Sequence, residues 1–135
     1  MDLPERILRT YNTLAIVGAS RDPQKSAHGV PASLKRAGFK IVPVNPSING
    51  LLFDETAYPS LSSIPFPVDV VVVFRPGQDV PPIATEAVSI GAKALWLQLG
   101  ITSPEAKAIA EQAGLLYVED QCTSVVRALH RITKE

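Results

Sequence analysis

Short apolar runs recur along the chain and are separated by longer stretches of mixed polarity. The runs are Leu14 to Val17, Lys40 to Val44, Val68 to Phe74, Ala94 to Leu97 and Leu115 to Val118. Each is only a few residues long, mostly apolar, and bounded by glycine, proline or polar turn residues, the pattern of strands covered on both faces. The run from Val68 to Phe74 is almost continuously β-branched, which favours an extended, packed backbone over a helix. The run ending at Val17 meets Gly18 at once, so that strand must turn immediately. The intervening stretches read as helices. One runs from Pro4 to Tyr11 behind Asp2 or Leu3, and a second from Val30 to Ala37, with Pro31 near its start and Gly38 as its stop. A third opens at Asp79 with Pro81 and Pro82 and ends at Gly91, a fourth opens at Ser103-Pro104 and ends at Gly114, and a fifth spans Thr123 to Ile132. From Ile48 to Pro67 the pattern is irregular, with room for a short strand near Leu52-Phe53.

Strands alternating with helices of this length predict parallel pairing, because each crossover must return the chain over a face of the sheet. The expected fold is α/β: a doubly wound, five-stranded parallel sheet with helices on both faces, forming one domain over residues 1–135. Such sheets bind ligands beyond the carboxyl ends of their strands, where the strand order reverses. That rule selects the segments Gly18 to His28, Val44 to Pro46, Phe74 to Gly77, Gln98 to Gly100 and Asp120 to Thr123.

Charge and cysteine content narrow the partners. Thirteen basic residues balance thirteen acidic ones, so no overall field draws the chain to nucleic acid or to an anionic membrane surface. No apolar run is long enough to span a bilayer, and the first residues carry no signal-peptide core. Cys122, the only cysteine, excludes an internal disulfide and a cysteine-held metal cluster, which fits a reducing cytoplasm.

The segment from Gly18 to Gly29 joins a buried strand to a helix start. Small residues there let backbone N–H groups approach an anion, and Arg21 or Lys25 can add full positive charge, so a phosphate or pyrophosphate is the expected ligand group. Two better-known phosphate motifs fail. The dinucleotide fingerprint needs three spaced glycines and a later acidic residue, but only Gly18 matches and the second strand ends in Asn45-Pro46. The P-loop needs glycine directly before lysine, where this loop has Pro23-Gln24 before Lys25-Ser26. An ATPase is therefore not expected. Phe74 and Arg75 offer a flat apolar contact and a guanidinium beside the loop, and Gln98 offers an amide. Trp96 is expected in the core. Cys122 has no base placed beside it by spacing and is expected to be a packed, inert thiol. No paired carboxylates, metal-ligand cluster or serine elbow is present.

Several blocks, taken in order, resemble a known family: Val17-Gly18-Ala19-Ser20, Val42-Pro43-Val44-Asn45-Pro46, Val68-Asp69 leading to Phe74-Arg75, and Leu95-Trp96-Leu97-Gln98-Leu99-Gly100-Ile101. They are similar to the small CoA-binding proteins, whose fold resembles the CoA-binding domain of the succinyl-CoA synthetase alpha subunit, and the likeness runs from about Leu14 to Leu129. The resemblance implies a Rossmann-like domain holding coenzyme A or an acyl-CoA as its small-molecule nucleotide ligand. It implies that Gly18, Ala19, Ser20 and Arg21 hold the pyrophosphate region and that Lys25 supplies charge to a phosphate. Val44, Asn45 and Pro46 then flank the nucleotide, Phe74 and Arg75 border its other side, and Gln98 is a further contact. The family's last block reads aspartate, arginine, cysteine; here it is Asp120-Gln121-Cys122, a departure at Gln121. The synthetase's phosphorylated histidine lies in a further domain, so the expected role is non-catalytic binding, as carrier, sensor or accessory subunit. Two alternatives stand beside it: an enzyme, NAD-linked or using Cys122 for acyl transfer, and a protein-interaction module with a vestigial crevice.

Overall fold

The protein is described here by a computed structural model covering residues 1–135. Its helices are α1 (Leu3–Thr10), α2 (Ser26–Arg36), α3 (Val80–Ser89), α4 (Pro104–Gln112) and α5 (Thr123–Leu129). Its strands are β1 (Thr13–Val17), β2 (Lys40–Val44), β3 (Leu51–Leu52), β4 (Glu55–Thr56), β5 (Val70–Val73), β6 (Ala94–Leu97) and β7 (Leu116–Val118). Five strands form one sheet in the order β2-β1-β5-β6-β7, and every pairing within it is parallel. The expected α/β, doubly wound, Rossmann-like sheet is the observed one.

Side chains alternate across this sheet. Leu14, Ile16, Val70, Val72 and Trp96 face a core closed by α1, α2 and α5. Ala15, Val71, Val73, Leu95 and Leu97 face a second core closed by α3 and α4, which supply Val80, Ala84, Ala106 and Ala110. All four residues of β5 are fully buried, which is why that strand reads as an unbroken apolar run. Each such valine contributes about 1.5–3 kcal/mol of burial. Trp96 is core, as expected, and its indole Nε1 donates to the Gln121 carbonyl at 2.7 Å.

The helix starts are partly as read. Asp2 caps α1 by accepting from the Glu5 N–H at 3.1 Å, and Ser103 caps α4 by accepting from the Ala106 N–H at 3.1 Å. Asp79 precedes α3 but accepts no cap bond, because its carboxylate is taken by Arg75 at 2.8 Å. The largest departure is α2, which starts at Ser26, not Val30, and so encloses Pro31. Proline inside a helix leaves the carbonyl four residues earlier without its donor. Here that carbonyl, on Ala27, is taken by the Ser20 N–H at 3.1 Å, so the loop after β1 completes the helix it leads into.

The irregular stretch holds a two-stranded antiparallel hairpin, β3–β4, turned at Phe53 and Asp54 with φ of 58° and 60°. It docks on α2. Lys35 pairs with Glu55 at 3.1 Å and donates to the Phe53 carbonyl, and the Phe53 ring lies 4.9 Å from the His28 ring. β5 is shorter than the run Val68 to Phe74, since Asp69 accepts from the N–H groups of Asn12 and Thr13. α5 ends at Leu129, before Arg131 adopts a φ of 53°.

Candidate functional site

The strand order reverses between β1 and β5, and Gly18 and Phe74 sit at the ends of those strands. Gly18 has a φ of 89°, and a Cβ there would lie 3.2 Å from Arg75 Cδ and 3.3 Å from the Phe74 carbonyl oxygen. A glycine is required at this crossing by backbone conformation and by space alike.

From Gly18 to Ala27 the polar groups sort into two sets. Carbonyls are pinned inward: the Ala19 oxygen accepts from Asn45 Nδ2 at 2.9 Å, and the Ser20 oxygen bonds His28 Nδ1 at 2.7 Å. His28 therefore carries its hydrogen on Nδ1, facing a carbonyl. The segment between is tied to itself, the Ser20 hydroxyl accepting from the Asp22 N–H and the Asp22 carboxylate from the Gln24 N–H, each at 3.0 Å. The N–H groups of Ala19, Arg21, Ser26 and Ala27 have no acceptor in the protein. Ala19 is wholly buried, whereas Arg21 and Ser26 are exposed and Ala27 is half-buried. Ser26 and Ala27 are the first residues of an eleven-residue helix, whose dipole adds to the pull of these donors on an anion.

Two clefts lie at this end of the sheet. The first, of about 470 Å³, is bordered by Gly18, Val44, Asn45, Pro46, Arg75 and Glu86. The second, of about 450 Å³, lies at the start of α2 and is bordered by Lys25, Ala27, Phe74, Gln98, Leu99 and Cys122. Their charges differ. In the first, Arg75 is paired with Asp79 at 2.8 Å and Glu86 adds a further negative charge. In the second, Lys25 is the only charged residue, and its ammonium makes no ion pair.

The predicted site residues thus divide. Gly18, Val44, Asn45, Pro46 and Arg75 come together at the first cleft, and Lys25, Phe74 and Gln98 at the second. Ala19, Ser20 and Arg21 form the loop between them. The Arg21 side chain is directed elsewhere, its guanidinium donating to the carbonyls of Asn49 at 2.7 Å and Leu51 at 3.0 Å, so it holds the hairpin segment against the loop. Asn45 also accepts from the Ser47 N–H at 2.8 Å, closing the turn after β2. The sequence reading missed the amides of Ser26 and Ala27, whose signal was Pro23 and Lys25-Ser26 ahead of a helix read as starting later. Cys122, within the selected segment Asp120 to Thr123 but expected to be packed and inert, is half-buried and borders the second cleft.

A family model described as a CoA binding domain matches residues 12–128. The chain belongs to this family. Among relatives of the CoA binding domain, the uncharacterized protein YneT of Bacillus subtilis (strain 168) is 33% identical over 130 residues, covering 96% of this chain and 93% of YneT. The ADP-forming acetate–CoA ligase II of Archaeoglobus fulgidus is 36% identical over 83 residues, which is 60% of this chain but 12% of the ligase. Among solved structures, the cell-free ID.343 protein of Thermus thermophilus superposes with a TM-score of 0.88 at 36% identity, covering 92% of this chain and 93% of that one. No helix of this CoA binding domain is long and apolar enough to cross a membrane.

Proposed function

We propose that the chain binds coenzyme A or an acyl-CoA beside Gly18, as a carrier, sensor or accessory subunit. The observation that carries this reading is the set of unpaired N–H groups at Arg21, Ser26 and Ala27 beside the unpaired Lys25 ammonium. An exposed row of donors with a free cation suits a diphosphate, whose oxygens accept only. The family match supports coenzyme A as the molecule that carries this diphosphate. The first cleft, with Arg75 offset by two carboxylates, suits the adenine ring with the ribose 3′-phosphate turned out to solvent, and the more apolar second cleft suits the pantetheine arm. Asn45 and His28 serve by holding carbonyls away from the phosphates, and Arg21 by fixing the loop.

Thermal unfolding with coenzyme A, NADH and pantetheine tests this directly. At a hundred times its Kd, a ligand of the folded state stabilises by about 2.7 kcal/mol. Coenzyme A is expected to raise Tm, with pantetheine weaker for lack of phosphates. No shift with coenzyme A, or a larger one with NADH, overturns the reading. A cytoplasmic setting and any protein partner belong to the same proposal: the chain's single, half-buried cysteine fits a reducing compartment.

A further inference from the structure

The second cleft contains an amide with nothing to bond. Gln98 is 4% exposed, and its Oε1 accepts from both the Thr123 N–H at 2.9 Å and the Thr123 hydroxyl at 2.8 Å. A backbone N–H can only donate, so these bonds fix the side chain with oxygen toward Thr123 and Nε2 on the other side. That Nε2 has no acceptor in the protein. Since no buried side-chain nitrogen or oxygen lacks a partner, Nε2 reaches open space, and the space Gln98 borders is the second cleft. The residue next to Thr123 is Cys122, whose half-buried side chain lines the same cleft. The two Thr123 bonds thus hold an unpaired amide donor in a fixed orientation on the cleft that Cys122 also lines.

We infer that Cys122 accepts the acyl group of a bound acyl-CoA, with Gln98 Nε2 donating to the carbonyl oxygen as it gains charge. This rests on the coenzyme A reading and makes the carrier a covalent one. The Cys122 sulfur forms a bond to the acyl carbon while the bond from that carbon to the coenzyme A sulfur breaks. Cys122 loses its thiol proton to water and the departing thiolate takes one up, so one thioester replaces another and nothing is oxidised or reduced. An amide locked by two bonds to its neighbour is a preorganised donor for the tetrahedral oxyanion. Val30, Phe74, Leu99 and Ile101 give the cleft apolar walls that suit an acyl chain.

The test incubates the full chain with acetyl-CoA or with S-acetyl-N-acetylcysteamine, a small thioester of the same acyl group, and follows intact mass, hydroxylamine lability and binding of coenzyme A. The expected result is a hydroxylamine-labile acetyl group on Cys122, added much faster from acetyl-CoA, and none on Cys122→Ala. Gln98→Glu keeps the oxygen that Thr123 bonds and removes the donor. It is expected to slow acetylation about a hundredfold, far more than it weakens binding of coenzyme A. Coenzyme A that binds while Cys122 stays unmodified, equal rates from the two thioesters, or Gln98→Glu acetylated at the parental rate would each overturn the inference and leave the binding reading intact. Absence of coenzyme A binding overturns both.

Discussion

Replacing glycine by alanine at two positions eleven residues apart should move stability in opposite directions. Gly18 has a φ of 89°, where an L side chain is strained, and its new Cβ would crowd Arg75 Cδ at 3.2 Å and the Phe74 carbonyl oxygen at 3.3 Å. The backbone strain costs about 1–2 kcal/mol. The Arg75 stem can swing aside because that side chain is half exposed, but the Phe74 oxygen is held in β5's continuation by the Phe74 N–H bond to the Val17 oxygen at 2.9 Å. Gly18→Ala should therefore lose about 2 kcal/mol in total. With an unfolding entropy near 0.28 kcal/mol/K for 135 residues, that lowers Tm by about 7 °C. Gly29 lies inside α2 with nothing within 4 Å of an added Cβ. Gly29→Ala should gain about 0.5–1 kcal/mol, or roughly 2–4 °C, from helix propensity alone. Differential scanning calorimetry of both variants decides the matter. A Gly18→Ala protein that melts with the parent, or a Gly29→Ala protein that loses as much as Gly18→Ala, refutes the account of the crossing. Binding adds a second readout, since Gly18 borders the first cleft and Gly29 borders neither, so only Gly18→Ala should weaken coenzyme A.

Three further outcomes are expected. Lys25→Gln should weaken coenzyme A by about tenfold in titration calorimetry with Tm unchanged and with pantetheine binding unaffected, because only a charge facing phosphate is lost. Arg21→Gln should instead lower Tm by about 3–4 °C, the worth of roughly 1 kcal/mol of hydrogen bonding to Asn49 and Leu51, before any effect on binding is scored. Burial, then the Tyr117 hydroxyl's bond to Glu119 at 2.9 Å, holds the Tyr117 phenol above its ordinary ionisation range. The folded state thus keeps a proton that the unfolded chain releases, so this contribution is whole below about pH 10 and is lost as pH rises beyond it. Denaturation curves across that range should fall less steeply for Tyr117→Phe, and identical slopes would contradict the assignment.

What could be read from sequence was set by local causes. Val70 to Val73 must be extended and covered whatever lies around them, and Ser103 caps α4 through a bond three residues away. The misplaced start of α2 has a different origin. Pro31 marks a helix start only when no other donor can serve the Ala27 carbonyl, and the donor that does, on Ser20, is eleven residues ahead of it in the chain. Arg21 was read as a phosphate ligand because charge is visible in sequence while its hydrogen-bond partners, on a hairpin some thirty residues on, are not. The same holds for Gln98: only Thr123, twenty-five residues away, fixes which end of its amide meets the cleft.

The two clefts give a bound nucleotide thioester a direction. On the proposed reading, Arg75 is neutralised by Asp79 and Glu86 leaves the first cleft with excess negative charge, so the diphosphate is disfavoured there, whereas the uncharged adenine ring is not and the ribose 3′-phosphate is left facing solvent. Lys25 and the open amides of α2 draw the diphosphate to the rim of the second cleft. On that reading the arm beyond the diphosphate runs along Phe74 and Leu99, because the second cleft is the more apolar of the two. Its far end, where coenzyme A carries its sulfur, comes to the part of the cleft bordered by Gln98 and Cys122. On the proposed reading the polarity of charge around Gly18 and the position of the one thiol belong to a single arrangement: reversing the ligand would set its diphosphate against carboxylates and its thioester away from the only thiol in the chain.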